Sequence, residues 1–104
     1  MTITKKQNGN SVTLEIEGRL DTITAPDLEK EIQSAADAGE LVMDCEKMEY
    51  ISSAGLRVFL SAHKAFAKKS GMTVKNVRET VLDIFEVTGF RDILNIQQAG
   101  KKIL

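Results

Sequence analysis

The spacing of apolar residues changes period several times along this chain, and that alternation limits its possible folds more than any other feature. Ile3, then Val12, Leu14 and Ile16, alternate with polar residues such as Thr13, Glu15 and Glu17. A period of two predicts strands over residues 2 to 5 and 11 to 17, each with one wet face. Between them lies Gln7-Asn8-Gly9-Asn10, whose Asn-Gly pair accepts the positive φ angles of a tight hairpin. Thr24-Ala25-Pro26-Asp27 then reads as a helix start, with Thr24 as cap, Pro26 in the first turn and Asp27 favoured by the helix dipole. Leu28, Ile32 and Ala35 follow at helical spacing, and Gly39 is placed to end that helix in a left-handed conformation.

Leu41-Val42-Met43 is apolar without alternation, as expected of a central strand covered on both faces or on its way into cover. From Ser53 to about Lys69 the pattern is helical again. Leu56, Phe59, Leu60, His63 and Ala67 share one side, and Arg57, Ser61, Lys64 and Lys68 form a wet, basic stripe. Met72 to Asn76 alternates like a strand. Thr80 with Asp83 predicts a third capped helix running through Thr88 and ended by Gly89. Asn95-Ile96-Gln97 reads as a last short strand, and Lys101 to Leu104 offers little to bury. The order β, β, α, β, α, β, α and a final β predicts an α/β fold. It is a single domain over residues 1–104, with a mixed, mostly parallel sheet of about four or five strands, helices on right-handed crossovers and an N-terminal hairpin as antiparallel edge.

Composition narrows the function classes. At 104 residues the chain has the length of one domain with one core. Fourteen Lys plus Arg against 15 Asp plus Glu give a net charge of -1, which makes no electrostatic case for nucleic acid or an anionic membrane. One cysteine, Cys45, forms no internal disulfide, and one histidine, His63, leaves no soft-ligand cluster for a metal. Met1 to Lys6 lacks the apolar core of a signal peptide, and no apolar run approaches the roughly 20 residues that span a bilayer. The expectation is a cytoplasmic protein without membrane insertion.

The segment Tyr50-Ile51-Ser52-Ser53-Ala54-Gly55-Leu56 places two hydroxyls where an apolar strand hands over to a helix. Free backbone N–H groups and the positive end of the dipole gather in that first turn, which therefore tolerates a phosphate. On the residues alone, a serine there is foremost a helix cap. Gly55 inside the helix costs roughly 1 kcal/mol against Ala, which either a close partner backbone or close packing on the sheet would explain. Asp21 and Thr24 flank the first βα turn, which opens at the same carboxyl edge of the sheet. Asp44 invites comparison with phosphoaspartate receivers, but the acidic pair those need after their first strand is missing, so it reads as a turn former. His63 and Cys45 read as packed residues, and no second side chain completes a nucleophilic pair with either serine. Enzyme activity is not expected.

Gly18-Arg19-Leu20-Asp21 through Thr24-Ala25, Leu41-Val42-Met43-Asp44, Tyr50 to Leu56, and Gly89-Phe90 with Ile93-Leu94 together resemble a STAS domain, and more narrowly the free-standing bacterial anti-sigma factor antagonists. The likeness runs over essentially the whole chain. It implies a partner switch in which the unmodified antagonist binds an anti-sigma factor that is also a serine kinase and so frees the sigma factor. Phosphorylation of a serine at the start of the helix after the central strand ends binding, and a serine phosphatase restores it. By that resemblance the acceptor is Ser53, with Ser52 as second candidate and better cap. Well-studied members often have Asp before the acceptor and Ser or Thr after it, where this chain has Ser52 and Ala54. The implied partner surface comprises Asp21, Thr22, Thr24, Ser52, Ser53, Gly55, Leu56 and Arg57, with no cofactor of its own because ATP belongs to the kinase. Arg57 lies one turn after Ser53, and helical side chains lean toward the N-terminus, so its guanidinium is expected to meet a phosphate on Ser53. The alternatives are a cytoplasmic accessory subunit of a membrane transporter complex, in which Ser53 is only a cap, and a small hydrolase or phosphotransferase, for which no base stands beside Ser53.

Overall fold

Five strands and three helices form in the order the periodicity predicts. The computed structural model describes residues 1–98, so the expectation for Lys101 to Leu104 lies outside the described residues. The elements are β1 (Thr2–Asn8), β2 (Ser11–Leu20), α1 (Ala25–Ser34), β3 (Glu40–Ile51), α2 (Ser53–Ala67), β4 (Gly71–Lys75), α3 (Glu79–Val87), a 3₁₀ turn (Phe90–Asp92) and β5 (Ile96–Gln97). The sheet runs β1-β2-β3-β4-β5, with β1 antiparallel to β2 and every other pair parallel.

Asn8 pairs with Ser11, so the two loop residues of the opening hairpin are Gly9 and Asn10 rather than the expected Asn-Gly pair. Only Gly9 has a positive φ, at 63°. Asn10 is used elsewhere: its backbone carbonyl and Oδ1 both accept from the N–H of Gly39, at 2.9 and 3.0 Å. This overturns the expected role of Gly39. Helix α1 already ends at Ser34, and Gly39 is not left-handed. A Cβ there would stand 2.1 Å from the Asn10 amide nitrogen, so the residue is glycine to let the β1–β2 turn approach. The end of α1 closes on its own carbonyls, those of Ile32 and Gln33, and two distant lysines bond there and just beyond it. Lys5 Nζ reaches Ser34, and Lys69 Nζ donates to the carbonyls of Ala36 and Ala38, placing positive charge at the helix C-terminus.

Strand β3 is the middle strand, as expected, but it is 12 residues long and covered on one face. Val12, Leu41 and Met72 form one register row of buried side chains, and Leu14, Met43 and Val74 the next. Between them Thr13, Val42 and Thr73 make a half-buried row on the opposite face. All three helices pack on the first face, where Leu28, Phe59, Phe66, Val81 and Phe85 join a single core with the strand residues. Asp44, read as a turn former at a strand end, lies within β3, its Oδ1 accepting from Glu46 N–H and Asn76 Nδ2 at 3.1 Å each.

Beyond Asp44, β3 spends two more residues than β2 to cover the same length, with register shifts between Glu15 and Glu17 and between Gly18 and Arg19. These irregularities are β-bulges, and each extra residue resets the face on which the next side chain falls. Met48 and Ile51 therefore return to the core although their spacing from Cys45 is three and six.

Helix α2 starts where expected, but its buried face is Gly55, Leu56, Phe59, Ala62 and Phe66, whereas Leu60 and His63 are half-buried and Ala67 is exposed. Helix α3 starts before Thr80. Its N-cap position is Arg78, whose Nε donates instead to the carbonyl of Glu46 at 2.8 Å. Gly89 follows α3 in the left-handed region at φ 81°, as expected.

Candidate functional site

The carboxyl ends of β2 and β3 lie side by side, Leu20 paired with Ile51, and the Ser52 N–H continues the ladder to the Leu20 carbonyl at 2.9 Å. Each strand then turns directly into a helix, which brings the Asp21–Thr24 turn next to the Ser52–Ser53 turn.

The first turn is closed by side chains. Asp21 Oδ1 accepts from the N–H groups of Ile23 and Thr24 at 3.0 and 3.1 Å. The Thr24 hydroxyl accepts from Asp21 N–H and donates to the Arg19 carbonyl, both at 2.8 Å. Thr24 occupies the N-cap position of α1, but its side chain makes no capping bond. That corrects its expected role: the hydroxyl ties the turn to the end of β2, and Asp21 satisfies the turn's N–H groups. These donors, foremost the Thr24 N–H, hold the Asp21 carboxyl below its ordinary pKa despite partial desolvation, and the nearby charge of Arg19 adds to the effect. Arg19 itself lies over the Tyr50 ring, 4.4 Å from its centroid.

The second turn is sparer. Ser52 is extended, with φ -96° and ψ 177°, and its Oγ accepts from Gly55 N–H at 3.3 Å, so Ser52 is the N-cap of α2. Ser53 is the first helical residue and is exposed, and its hydroxyl has no hydrogen-bond partner among the described residues. The first turns of α1 and α3 carry Asp27 and Glu79, whereas that of α2 carries no acid. The positive end of the α2 dipole is thus uncompensated within the helix.

Gly55 is buried and directed at the sheet. A Cβ there would lie 2.8 Å from Ile51 Cγ1 and from Leu20 Cγ, so close packing accounts for this glycine. Leu56 is also buried. Of the eight residues expected at the surface, Gly55 and Leu56 thus shape the site from beneath. A groove runs between the starts of α1 and α2, floored by Ala25, Ala54 and Val58 and rimmed by Thr22, Pro26, Glu29, Arg57 and Ser61. Arg57 is exposed and makes no ion pair among the described residues.

Sequence reading passed over Ile23, whose side chain is 84% exposed at the top of the Asp21–Thr24 turn. Its signal was an isolated branched apolar residue inside an Asp-x-x-Thr turn. The residues weighed for catalysis are elsewhere. Cys45 is fully buried and its thiol pKa is raised by desolvation. His63 is half-buried on α2, about 15 Å along the axis from Ser53 at the usual helical rise. No group of three or more His, Cys, Asp or Glu residues able to hold a metal occurs among the described residues.

The family model for the STAS domain matches residues 2–102. The chain belongs to the STAS domain family. Within it, this chain is 33% identical over 93 residues to the anti-sigma-B factor antagonist of Bacillus subtilis, covering 88% of this chain and 85% of that protein. Its fold matches the anti-sigma factor antagonist SpoIIAA in the unphosphorylated form with a TM-score of 0.82 at 16% identity, covering 96% of this chain and 90% of the other. Against the Bacillus cell fate determinant SpoIIAA in the phosphorylated form the TM-score is 0.75 at 15% identity, over 96% and 93% of the two chains. STAS membership accounts for the hairpin edge, the parallel remainder of the sheet and the three helices on one face. No helix among the described residues is long and apolar enough to cross a membrane.

Proposed function

We propose that this STAS protein is an anti-sigma factor antagonist working as a phosphorylation-controlled partner switch in the cytoplasm. Unmodified, it binds an anti-sigma factor that is also a serine kinase and thereby frees the sigma factor. The kinase phosphorylates Ser53, the complex dissociates, and a serine phosphatase restores the binding form. The protein itself catalyses nothing and needs no cofactor.

The observation that carries this reading is the division of labour between the two serines. Ser52 Oγ is engaged as the cap, while Ser53 presents an exposed, unengaged hydroxyl at the first position of a helix whose first turn lacks an acid. A phosphoserine brings about -1.5 to -2 charges at neutral pH, favourable at a helix start and unfavourable against an acidic or apolar docking surface. Binding can therefore end without a change of fold. Arg57, exposed one turn along α2 from Ser53, is the cation that would receive the phosphate; if it does, phosphorylated Arg57→Ala melts below phosphorylated wild type, and equal melting points would remove this role. Asp21, Thr22 and Thr24 border the docking surface, Ser52 holds the helix start, and Gly55 and Leu56 set how deeply that start sits on the sheet.

The test is intact mass after incubation with ATP and each candidate switch kinase from the same genome. Wild type and Ser52→Ala gain one phosphate and Ser53→Ala none. A phosphate retained by Ser53→Ala, or no phosphate on wild type with any such kinase, overturns the proposal.

A further inference from the structure

Most branched apolar side chains are buried or half-buried, and among the described residues only Ile23, Val87 and Ile93 are exposed. Among the described residues Ile23 and Val87 stand out, at 84% and 83% exposure. An exposed isoleucine alone needs no explanation. Ile23 differs because of what holds it and what it adjoins.

Its own N–H is bonded to Asp21 Oδ1, and the residue on its C-terminal side is fixed through both its N–H and its hydroxyl. A β-branched side chain is already stiff at χ1. On a backbone pinned in this way it meets a partner with little conformational entropy left to lose, the condition under which a contact side chain contributes most to affinity. None of the bonds that hold the turn involves the isoleucine side chain, so neither the turn nor the core requires an apolar residue here. Thr22, its neighbour, is on the rim of the α1–α2 groove, whose floor is apolar and whose rim carries Glu29 and Arg57. Ile23 therefore stands next to that groove, on the turn that lies beside the Ser52–Ser53 turn. An apolar centre with a polar, charged rim is the anatomy of a protein-docking patch.

We infer that Ile23 is the apolar anchor by which the unmodified protein docks on its anti-sigma factor/serine kinase, inserting into an apolar pocket of that partner and helping to set which kinase is accepted. This rests on the partner-switch reading and adds to it a residue that takes no part in phosphate chemistry. Val87, equally exposed but on the last turn of α3 and outside that groove, serves as the internal control.

The experiment measures affinity by calorimetry between the unmodified protein and the kinase that phosphorylates the wild type. Ile23→Ala weakens binding at least tenfold, Ile23→Lys abolishes it, Ile23→Val retains most of it, and Val87→Lys binds within twofold of wild type. All four melt within about 2 °C of wild type, as surface substitutions away from packing and caps do. Binding by Ile23→Lys within twofold of wild type, while Ser53→Asp no longer binds, overturns the anchor and leaves the switch standing. Equal losses in Ile23→Lys and Val87→Lys overturn it too. Failure of the unmodified wild type to bind any kinase removes both readings.

Discussion

The βα turns after β2 and β3, neighbours at the carboxyl edge of the sheet, solve the same problem, starting a helix directly from a strand, in opposite ways. The Asp21–Thr24 turn is over-determined, with a carboxylate and a hydroxyl together bonding three backbone N–H groups and one carbonyl within six residues. The Ser52–Ser53 turn relies on one side-chain bond at 3.3 Å and on glycine packing beneath it. The first turn holds a fixed shape and presents an apolar side chain; the second leaves a hydroxyl uncommitted. On the proposed function, a surface that is both recognised and modified needs both properties, and here they are divided between neighbouring turns.

The sharpest way to break this comparison is at the glycine. Gly55→Val drives methyl groups into Leu20 and Ile51, both fully buried, and should cost about 3 kcal/mol by overpacking. A fall in the urea midpoint at unchanged slope would report it, whereas an unchanged midpoint would show that the helix start is free to lift from the sheet. Thr24→Val keeps the shape of the first turn but removes a donor and an acceptor, for an expected loss of about 1–2 kcal/mol. Ser52→Ala should cost about 0.5–1 kcal/mol as a lost cap, and Ser53→Ala about 0. Equal costs for the two serines would erase the division between cap and acceptor.

The smallest expected effect is on pH dependence. Because the folded-state pKa of Asp21 is depressed, the unfolded chain binds more protons than the folded protein across the acid window below about pH 4, the ordinary carboxylate range. Its stabilisation is present above that range and is lost as pH falls through the folded value. Asp21→Asn keeps an oxygen for the two N–H groups but does not titrate. The acid slope of its melting temperature should therefore be shallower than that of wild type, and identical slopes would show that the turn's hydrogen bonds do not discriminate the ionised carboxylate.

Features governed by near neighbours were readable in the chain. The hairpin follows from alternation on either side of a glycine turn, the Ser52 cap from a hydroxyl before a helical run, and the left-handed Gly89 from its place after one. Readings failed where the deciding partner is far away in sequence. Gly39 looks like a helix terminator until Asn10 is set against it, and Lys5 and Lys69, from distant strands and loops, bond the last residue of α1 and the carbonyls just beyond it. Strand β3 looks short because two bulges interrupt its alternation, so Glu46, Lys47 and Glu49 hide the continuation to Met48 and Ile51. The candidate site is legible through Ser53 and Asp21, but the exposure of Ile23 is not, because hydropathy states what a side chain prefers and not whether the fold has room for it.

By itself, the sequence determined the order and type of the elements, because hydrophobic period, turn residues and caps act over a few residues of backbone. It also marked the strand-to-helix junction where Ser53 stands. Tertiary structure decided which face of β3 is covered, why Gly55 has no side chain, and that Ile23 is left outside the core. Each of these depends on contacts between residues far apart in the chain, and only the packed sheet and helices bring them within reach.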